Sequence, residues 1–307
     1  MANWEEFYAS YRPPSNFNES KSNITTFVNK HFDNKIVLVT SGGTTVPLEL
    51  NTVRFVDNFS AGTRGSASTE YFLASGYAVI FLYRLKSLEP FVRHFTGQQF
   101  LNTLTVVGDD PDRPKIQVSD NFVPKMLPLL KNYQSAISTG RLLCIDFTTL
   151  SDYLWLLREA CLQLAPLQKR ALIYLAAAVS DFYIPADKIP EHKLQSGDGP
   201  LVITLQLVPK MLEPLVSEWL PHAFVVSFKL ETDPDILIKK ARLALHRYKH
   251  KLVIGNMLNT RKHQVTIVEP ETHYNITLTD VEISSGAEIE EKIVNDLLQR
   301  HENILAH

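Results

Sequence analysis

The chain has few of the features that mark secreted, metal-binding or membrane proteins. Its 307 residues include only two cysteines, Cys144 and Cys161, which form no C-x-x-C pair. Both lie in apolar sequence, so we expect reduced core residues and a cytoplasmic protein. Residues 1–30 lack a hydrophobic signal core, and no run of about eighteen apolar residues predicts a membrane span.

The chain also lacks a strong charge of either sign and the common catalytic motifs. Its formal net charge of -2 gives no reason to expect a nucleic-acid or acidic-membrane partner. The sequence contains no serine nucleophile elbow, no H-E-x-x-H and no zinc-ligand spacing. Chemistry that depends on positioning and anion stabilisation, such as attack on an activated phosphate, fits this inventory.

Apolar runs and helical patterns alternate along the chain, which predicts an α/β fold. The sheet should be doubly wound, mostly parallel and Rossmann-like, with an appended hairpin at 264–268 and 274–278. Ser151 is the predicted N-cap of the helix at 152–164. The predicted strands are 36–40, 78–83, 145–149, 171–176, 201–208, 223–228 and 252–255. The predicted helices are 65–75, 152–164, 210–219, 234–248 and 286–301.

We expect one folded domain. Residues 1–34 form an N-terminal extension, and residues 35–307 form a single nucleotide-binding domain. A polar excursion at about 85–140 should contain helices and irregular connections.

A glycine-bearing segment follows the first predicted strand and its Ser41–Thr45 loop. Ser60, Gly62 and Gly65 lie where this segment becomes a helix. Unpaired backbone N–H groups and the positive end of the helix dipole make such a terminus an anion site. An asparagine and two arginines in the same segment add donors for carboxylate or phosphate. A glycine-rich turn without a ligand is the alternative, because the segment lacks a full G-x-G-x-x-G and a P-loop lysine.

Other polar clusters follow later strands, at the edge where doubly wound sheets bind ligands. Asp181 is predicted to orient a ligand or to act as a cap or turn residue, and Phe228 to stack on a base or to pack in the core. The segment 188–199 carries Lys193 and His192, and it reads either as a solvated loop or as a mobile substrate flap that closes over the ligand.

Five motifs together resemble the phosphopantothenate–cysteine ligases of the eukaryotic, single-function type. The resemblance covers about 35–301 of the chain. The bacterial members are usually fused to a flavin-dependent decarboxylase, for which this chain has no room. The motifs are found at 39–44, 53–62, 175–182, 191–193 and 227–232.

The resemblance implies a two-step ligation in coenzyme A biosynthesis. ATP and Mg²⁺ would activate the carboxylate of 4′-phosphopantothenate as an acyl-adenylate, and the amine of L-cysteine would then displace the nucleotide. The family also implies a homodimer with shared active sites.

The same resemblance assigns roles to individual residues. Phe228 and Asn256 would bind the nucleoside, and Asn58 the reacting carboxylate. Lys193 would act on the intermediate, and Arg54 would reach the neighbouring subunit's site. The nucleotide phosphates would be held by Gly42, Ser60, Gly62 and Gly65. The pantothenate arm would be lined by Ala177, Ala178 and Asp181.

The chain departs from the bacterial pattern at two places. The bacterial flap has Lys-Ile-Lys-Lys where this chain has 193–196, and two bacterial phosphate-binding lysines are replaced by Ala244 and Tyr248. These changes argue against a CTP preference; Lys239, Lys240 and Arg242 are candidate replacements. The residues identify no metal ligands.

An NAD(P)-dependent oxidoreductase is the first alternative function, and a non-catalytic nucleotide-binding module is the second. A glycine-bearing turn in a doubly wound sheet suits such a cofactor. The second strand, however, ends in Tyr83-Arg84 where NAD binding requires an acid, although Arg84 would suit NADP.

Overall fold

An eight-stranded sheet forms the centre of the protein. The computed structural model describes residues 3–95, 97–108, 113–195 and 199–307. The strands are β1 (Ile36–Ser41), β2 (Thr45–Pro47), β3 (Phe55–Asp57), β4 (Ala78–Arg84), β5 (Leu104–Val107), β6 (Lys115–Val118), β7 (Leu142–Phe147), β8 (Ala171–Leu175), β9 (Phe182–Tyr183), β10 (Gln206–Leu207), β11 (Phe224–Glu231), β12 (Leu252–Met257), β13 (Gln264–Val268) and β14 (His273–Thr277). The helices are α1 (Trp4–Ser10), α2 (Phe17–Lys30), α3 (Thr63–Ala74), α4 (Gln98–Leu101), α5 (Val123–Ser138), α6 (Leu150–Leu164), α7 (Leu212–Pro214), α8 (Pro234–Tyr248), α9 (Asp280–Ser284) and α10 (Ile289–Ala306).

The strand order is β7-β4-β1-β8-β11-β12-β13-β14. The chain begins in the middle at β1, moves outward through β4 and β7, and returns to the other side of β1 at β8. Neighbours from β7 to β12 are parallel, and β13 and β14 form the antiparallel hairpin. This arrangement confirms the predicted doubly wound, mostly parallel fold. The strand order reverses between β1 and β8, where such sheets open a ligand crevice.

Both faces of the sheet are covered, which explains why its central strands are continuous apolar runs. On β1, Ile36 and Leu38 face a core shared with α2 and α6. Val37 and Val39 face a second core shared with α3 and α10. No helix in the described part of the chain is long and apolar enough to cross a bilayer.

Helices α1 and α2 pack on the first of these cores. Phe7 and Ile24 are buried in it, and the Tyr8 hydroxyl donates to the Leu154 carbonyl of α6 at 2.9 Å. The guanidinium of Arg158 lies 5.0 Å from the centre of the Tyr8 ring. Residues 3–34 thus share a core with the sheet, and the division of the chain at residue 34 stays a prediction.

Two local predictions were wrong. The N-cap of α6 is Thr149 and not Ser151, because Thr149 and Asp152 form a reciprocal capping box. The strand predicted at 201–208 is limited to β10, which pairs only with the two residues of β9. The helix predicted at 210–219 is confirmed, because α7 continues without a break into a π-helical segment at Leu215–Trp219.

The excursion also contains strands that the sequence did not reveal. Strands β5 and β6 pair antiparallel, before the long helix α5. Val106 and Ile116 are each 73% exposed, so their apolar side chains do not mark a core. Cys161 is buried as predicted. The predicted core position was wrong for Cys144, which is exposed on the edge strand β7.

Candidate active site

A cleft of about 770 Å³ opens at the carboxyl edge of the sheet, beside the reversal between β1 and β8. Its wall includes the start of α3, the end of β8 and the carboxyl ends of β11 and β12. Of the residues predicted for the site, eight line this cleft: Asn58, Ser60, Gly62, Ala177, Ala178, Asp181, Phe228 and Asn256. The fold therefore brings together side chains that lie almost 200 residues apart in the sequence.

The backbone of Asn58 is clamped against the loop that follows β1. Its N–H donates to the Thr44 carbonyl at 3.1 Å. A Cβ atom on Gly43 would lie 1.6 Å from the Asn58 carbonyl oxygen, so only glycine permits this approach. The Asn58 amide is thereby placed on the cleft wall, where it offers an uncharged hydrogen-bond donor. Gly43 was not predicted as a site residue, although it lies in the Ser41–Thr45 loop.

The N-terminus of α3 is an electropositive part of the cleft wall. Gly62 caps this helix with φ +81° and supplies no side-chain acceptor for the first N–H groups. The first turn contains no acidic residue. Such a terminus attracts anions through its unpaired N–H groups and the helix dipole.

Gly42 and Gly65 have packing roles behind this wall. A Cβ atom on Gly42 would lie 2.5 Å from Cβ of Arg84, and one on Gly65 would lie 2.5 Å from Cβ of Ser41. Gly65 thus allows α3 to approach β1 closely. Neither glycine lines the cleft, and their contact with phosphate stays a prediction.

The segment after β8 lies flat against the β1 loop. The Ala178 N–H donates to the Gly42 carbonyl at 2.7 Å, and the Ala177 N–H to the Thr40 hydroxyl at 3.2 Å. Small side chains at this position leave the cleft open along the backbone. Asp181 lies at its end, where the side chain forms an ion pair with Lys210 at 3.2 Å.

Phe228 and Asn256 form the opposite side of the cleft. The Phe228 ring packs edge-on against Tyr174 with centroids 4.9 Å apart, and it also lines the cleft. Both alternatives for Phe228, core packing and ligand contact, are therefore compatible with its position. Asn256 is only 8% exposed, and its side-chain oxygen accepts from Arg64 at 3.2 Å.

The cleft wall also carries four cations, Arg64, Lys210, Lys229 and Arg261. The arginines beside the helix terminus were predicted as donors, whereas Lys210 and Arg261 were not predicted. An arginine in the first turn of a helix opposes the helix dipole, which makes the position of Arg64 unusual. Two basic residues of α8 have partners outside the cleft: Lys240 pairs with Glu231, and Arg242 donates to the Glu271 carbonyl.

Arg54 and Lys193 lie outside the cleft, on an arm made of the hairpin β2–β3 and residues 182–195. Glu49, whose side chain is fully buried, accepts from the Arg54 Nε at 3.1 Å, and Arg54 also donates to the Leu194 carbonyl. Burial opposes ionisation of Glu49, but hydrogen bonds from the N–H groups of Arg54 and Leu194 hold its pKa below the usual value. Lys193 is exposed. The predicted flap, 188–199, includes residues 196–198, which lie outside the described residues, so its closure stays a prediction.

Comparison with known proteins gives a consistent assignment. Residues 157–300 match the family model described as the DNA/pantothenate metabolism flavoprotein C-terminal domain. The chain is 51% identical over 268 residues to the phosphopantothenate–cysteine ligase of Mus musculus, which covers 87% of this chain and 86% of the relative. It is 41% identical to the phosphopantothenate–cysteine ligase CAB2 of Saccharomyces cerevisiae, over 99% of this chain and 87% of the relative.

Solved structures extend the likeness to three dimensions. A Cab2 mutant in complex with phosphopantothenate-cysteine is similar with a TM-score of 0.89 and 42% identity, covering 99% of each chain. The DNA/pantothenate metabolism flavoprotein of Streptococcus pneumoniae shares the fold, with a TM-score of 0.59 and 21% identity over 88% of this chain and 99% of that chain.

Proposed function

The chain belongs to the phosphopantothenate–cysteine ligase family, and we propose that it performs this ligation with ATP through an acyl-adenylate. The ligase activity places it in coenzyme A biosynthesis. The observation that supports the proposed chemistry best is the juxtaposition of Asn58 with the N-terminus of α3 on one cleft wall. It puts an uncharged amide donor beside a site for phosphate.

In the first step, a carboxylate oxygen of 4′-phosphopantothenate attacks the α-phosphorus of ATP. A new P–O bond forms, the bond to the bridging oxygen breaks, and pyrophosphate leaves with its electron pair. Asn58 donates to the carboxylate and to the acyl-phosphate oxygen, while Ser60 and Gly62 hold phosphate at the helix terminus. Lys210, Lys229 and Arg261 supply cations for the polyphosphate, in place of the lysines absent from α8.

In the second step, the amine of L-cysteine attacks the acyl carbon. The C–N bond forms, the acyl C–O bond to the phosphate breaks, AMP leaves and the amine loses a proton. Ala177, Ala178 and Asp181 line the path of the pantothenate arm. Lys193 acts on the intermediate from the arm that carries Arg54.

Mg²⁺ would enter with the triphosphate. The described residues contain no group of three or more His, Cys, Asp or Glu side chains arranged to hold a metal. Among the described residues of the cleft wall, Asp181 is the sole carboxylate, and it is paired with Lys210. The cleft wall thus offers few protein ligands, which fits an ion held mainly by the phosphate oxygens of the nucleotide. Mg²⁺ commonly binds in this way. When bound, the ion would neutralise charge on the departing pyrophosphate.

A homodimer with shared sites is part of the proposal. The arm exposes large apolar side chains, including Leu50 at 59%, Val53 at 56% and Phe55 at 50%. Phe59, beside Asn58, is 89% exposed. Exposed apolar side chains concentrated on one arm are typical of an interface, and a second copy would cover them and bring Arg54 to its neighbour's substrate phosphate.

The oxidoreductase alternative has little support. The Arg84 guanidinium, which would have to meet the extra phosphate of NADP, donates to the Gly43 carbonyl at 3.0 Å and to Asp57 at 2.9 Å. It is therefore used to fix the loop that follows β1.

The order of product release tests the mechanism. With ATP and 4′-phosphopantothenate alone, we expect one burst of pyrophosphate per active site and no AMP release. Addition of L-cysteine should start continuous turnover, with AMP and pyrophosphate formed in equal amounts. Formation of ADP and inorganic phosphate would instead indicate an acyl-phosphate intermediate and overturn the acyl-adenylate.

A further inference from the structure

Arg64 connects the helix N-terminus to the nucleoside side of the cleft. Its Nη1 donates to Glu290 at 2.8 Å, and its Nη2 donates both to Oδ1 of Asn256 at 3.2 Å and to the Arg261 carbonyl. The side chains of Arg64 and Glu290 are 14% and 9% exposed. One largely buried guanidinium thus joins α3, β12, α10 and the loop after β12.

This arrangement fixes which end of the Asn256 amide faces the cleft. Arginine has only donors, so the atom turned toward Arg64 must be the amide oxygen. The Nδ2 group then has no partner among the described residues, and Asn256 lines the cleft. The amide consequently presents an N–H donor to whatever binds beside Phe228.

The position of Arg64 is unfavourable for the free energy of folding, so a role in orienting the Asn256 amide would explain it. A cation in the first turn of α3 is repelled by the positive end of the helix dipole. Burial of the Arg64–Glu290 pair adds a desolvation cost that the ion pair alone often fails to offset. A lysine would satisfy the charge of Glu290, but only the planar fork of arginine contacts three acceptors at once.

We propose that Arg64 is a positioning residue that locks Asn256 so that the cleft reads a hydrogen-bond acceptor on the nucleobase. This inference rests on the proposed nucleotide site and adds the group that sets its base recognition. With the lock removed, the amide can turn and offer either its donor or its acceptor, so discrimination among bases weakens.

The test compares Arg64→Lys with the wild type by direct titration with ATP, CTP, GTP and UTP, without the other substrates. We expect the Kd for ATP to rise about tenfold, the scale of one hydrogen bond, and the spread of Kd among the four nucleotides to narrow. In turnover, KM for ATP should rise while kcat and KM for 4′-phosphopantothenate stay within about twofold. Asn256→Asp should weaken ATP binding similarly, and the double variant should lose less than the product of the two effects.

Arg93→Lys is the matched control. Arg93 is also buried and joins Glu70 of α3 to Glu288 near the start of α10, but it does not line the cleft. Its variant should lose stability without a change in the Kd for ATP. Equal nucleotide affinities in wild type and Arg64→Lys would overturn the inference and leave the ligation intact. A wild type that binds ATP but releases no pyrophosphate would overturn the proposed mechanism alone; a wild type that binds none of the four nucleotides would overturn both.

Discussion

At the scale of single residues, Gly43 makes the strongest prediction. Gly43→Ala would place a methyl group 1.6 Å from the Asn58 carbonyl oxygen, and backbone cannot yield as a flexible side chain can. We expect kcat to fall about 100-fold, since a shift of about 1 Å in a catalytic group has effects of that size. The measurement is steady-state turnover at saturating substrates, together with thermal unfolding.

Gly286→Ala is the control for this variant. Gly286 also resists substitution, because its φ is +77°, but a Cβ atom there meets nothing within 4 Å. It should cost about 1 kcal/mol of stability and leave kcat unchanged. Normal turnover in Gly43→Ala would mean that the loop shifts without moving Asn58.

Much of the cleft could be predicted from residue types, because small, glycine and amide residues follow strands whose ends meet. Arg64 could not be assigned, since its partners Asn256 and Glu290 are contributed by distant elements. The roles of Arg54 and Lys193 also stay predictions, because both lie outside the cleft of a single chain.

At the scale of elements, the N-terminus of α6 shows which residue acts as the helix cap. Thr149→Ala should lower the free energy of unfolding by about 1 kcal/mol, because the capping box with Asp152 is lost. Ser151→Ala should cost nothing, since its buried hydroxyl has no hydrogen-bond partner in the described structure. Urea unfolding of both variants makes the comparison; an equal loss in both would contradict the assignment of the cap.

Elements with strong periodicity or buried apolar runs were predicted closely; α8, for example, has the predicted bounds, 234–248. The failures in the strands share a cause. The apolar alternation at 201–208 has only a two-residue partner strand, and Val106 and Ile116 are exposed on a hairpin away from the main sheet. Whether such a segment forms a buried strand depends on its pairing partners and its tertiary packing, and the local sequence predicts neither.

At the scale of the whole molecule, the question is whether Arg54 serves its own chain or its neighbour. In the single chain Arg54 is held by Glu49 and Leu194, on an arm whose apolar side chains are exposed. If the arm reaches a second copy, Arg54→Ala and Asn58→Asp chains should complement each other. Asn58→Asp alone should lose about 100-fold in turnover, the scale for one donor to a developing oxyanion.

Equal mixing of the two inactive chains should restore about a quarter of the wild-type sites, because half of the dimers are mixed and each has one intact site. The control mixes wild type with a chain that carries both substitutions. If Arg54 acts across the interface, both sites of that mixed dimer are defective, and activity falls to about a quarter; if Arg54 acts within its own chain, about half remains. Differently tagged chains verify that mixed dimers form. If they form, no restored activity in the first mixture together with half activity in the second would place Arg54 in its own subunit's site.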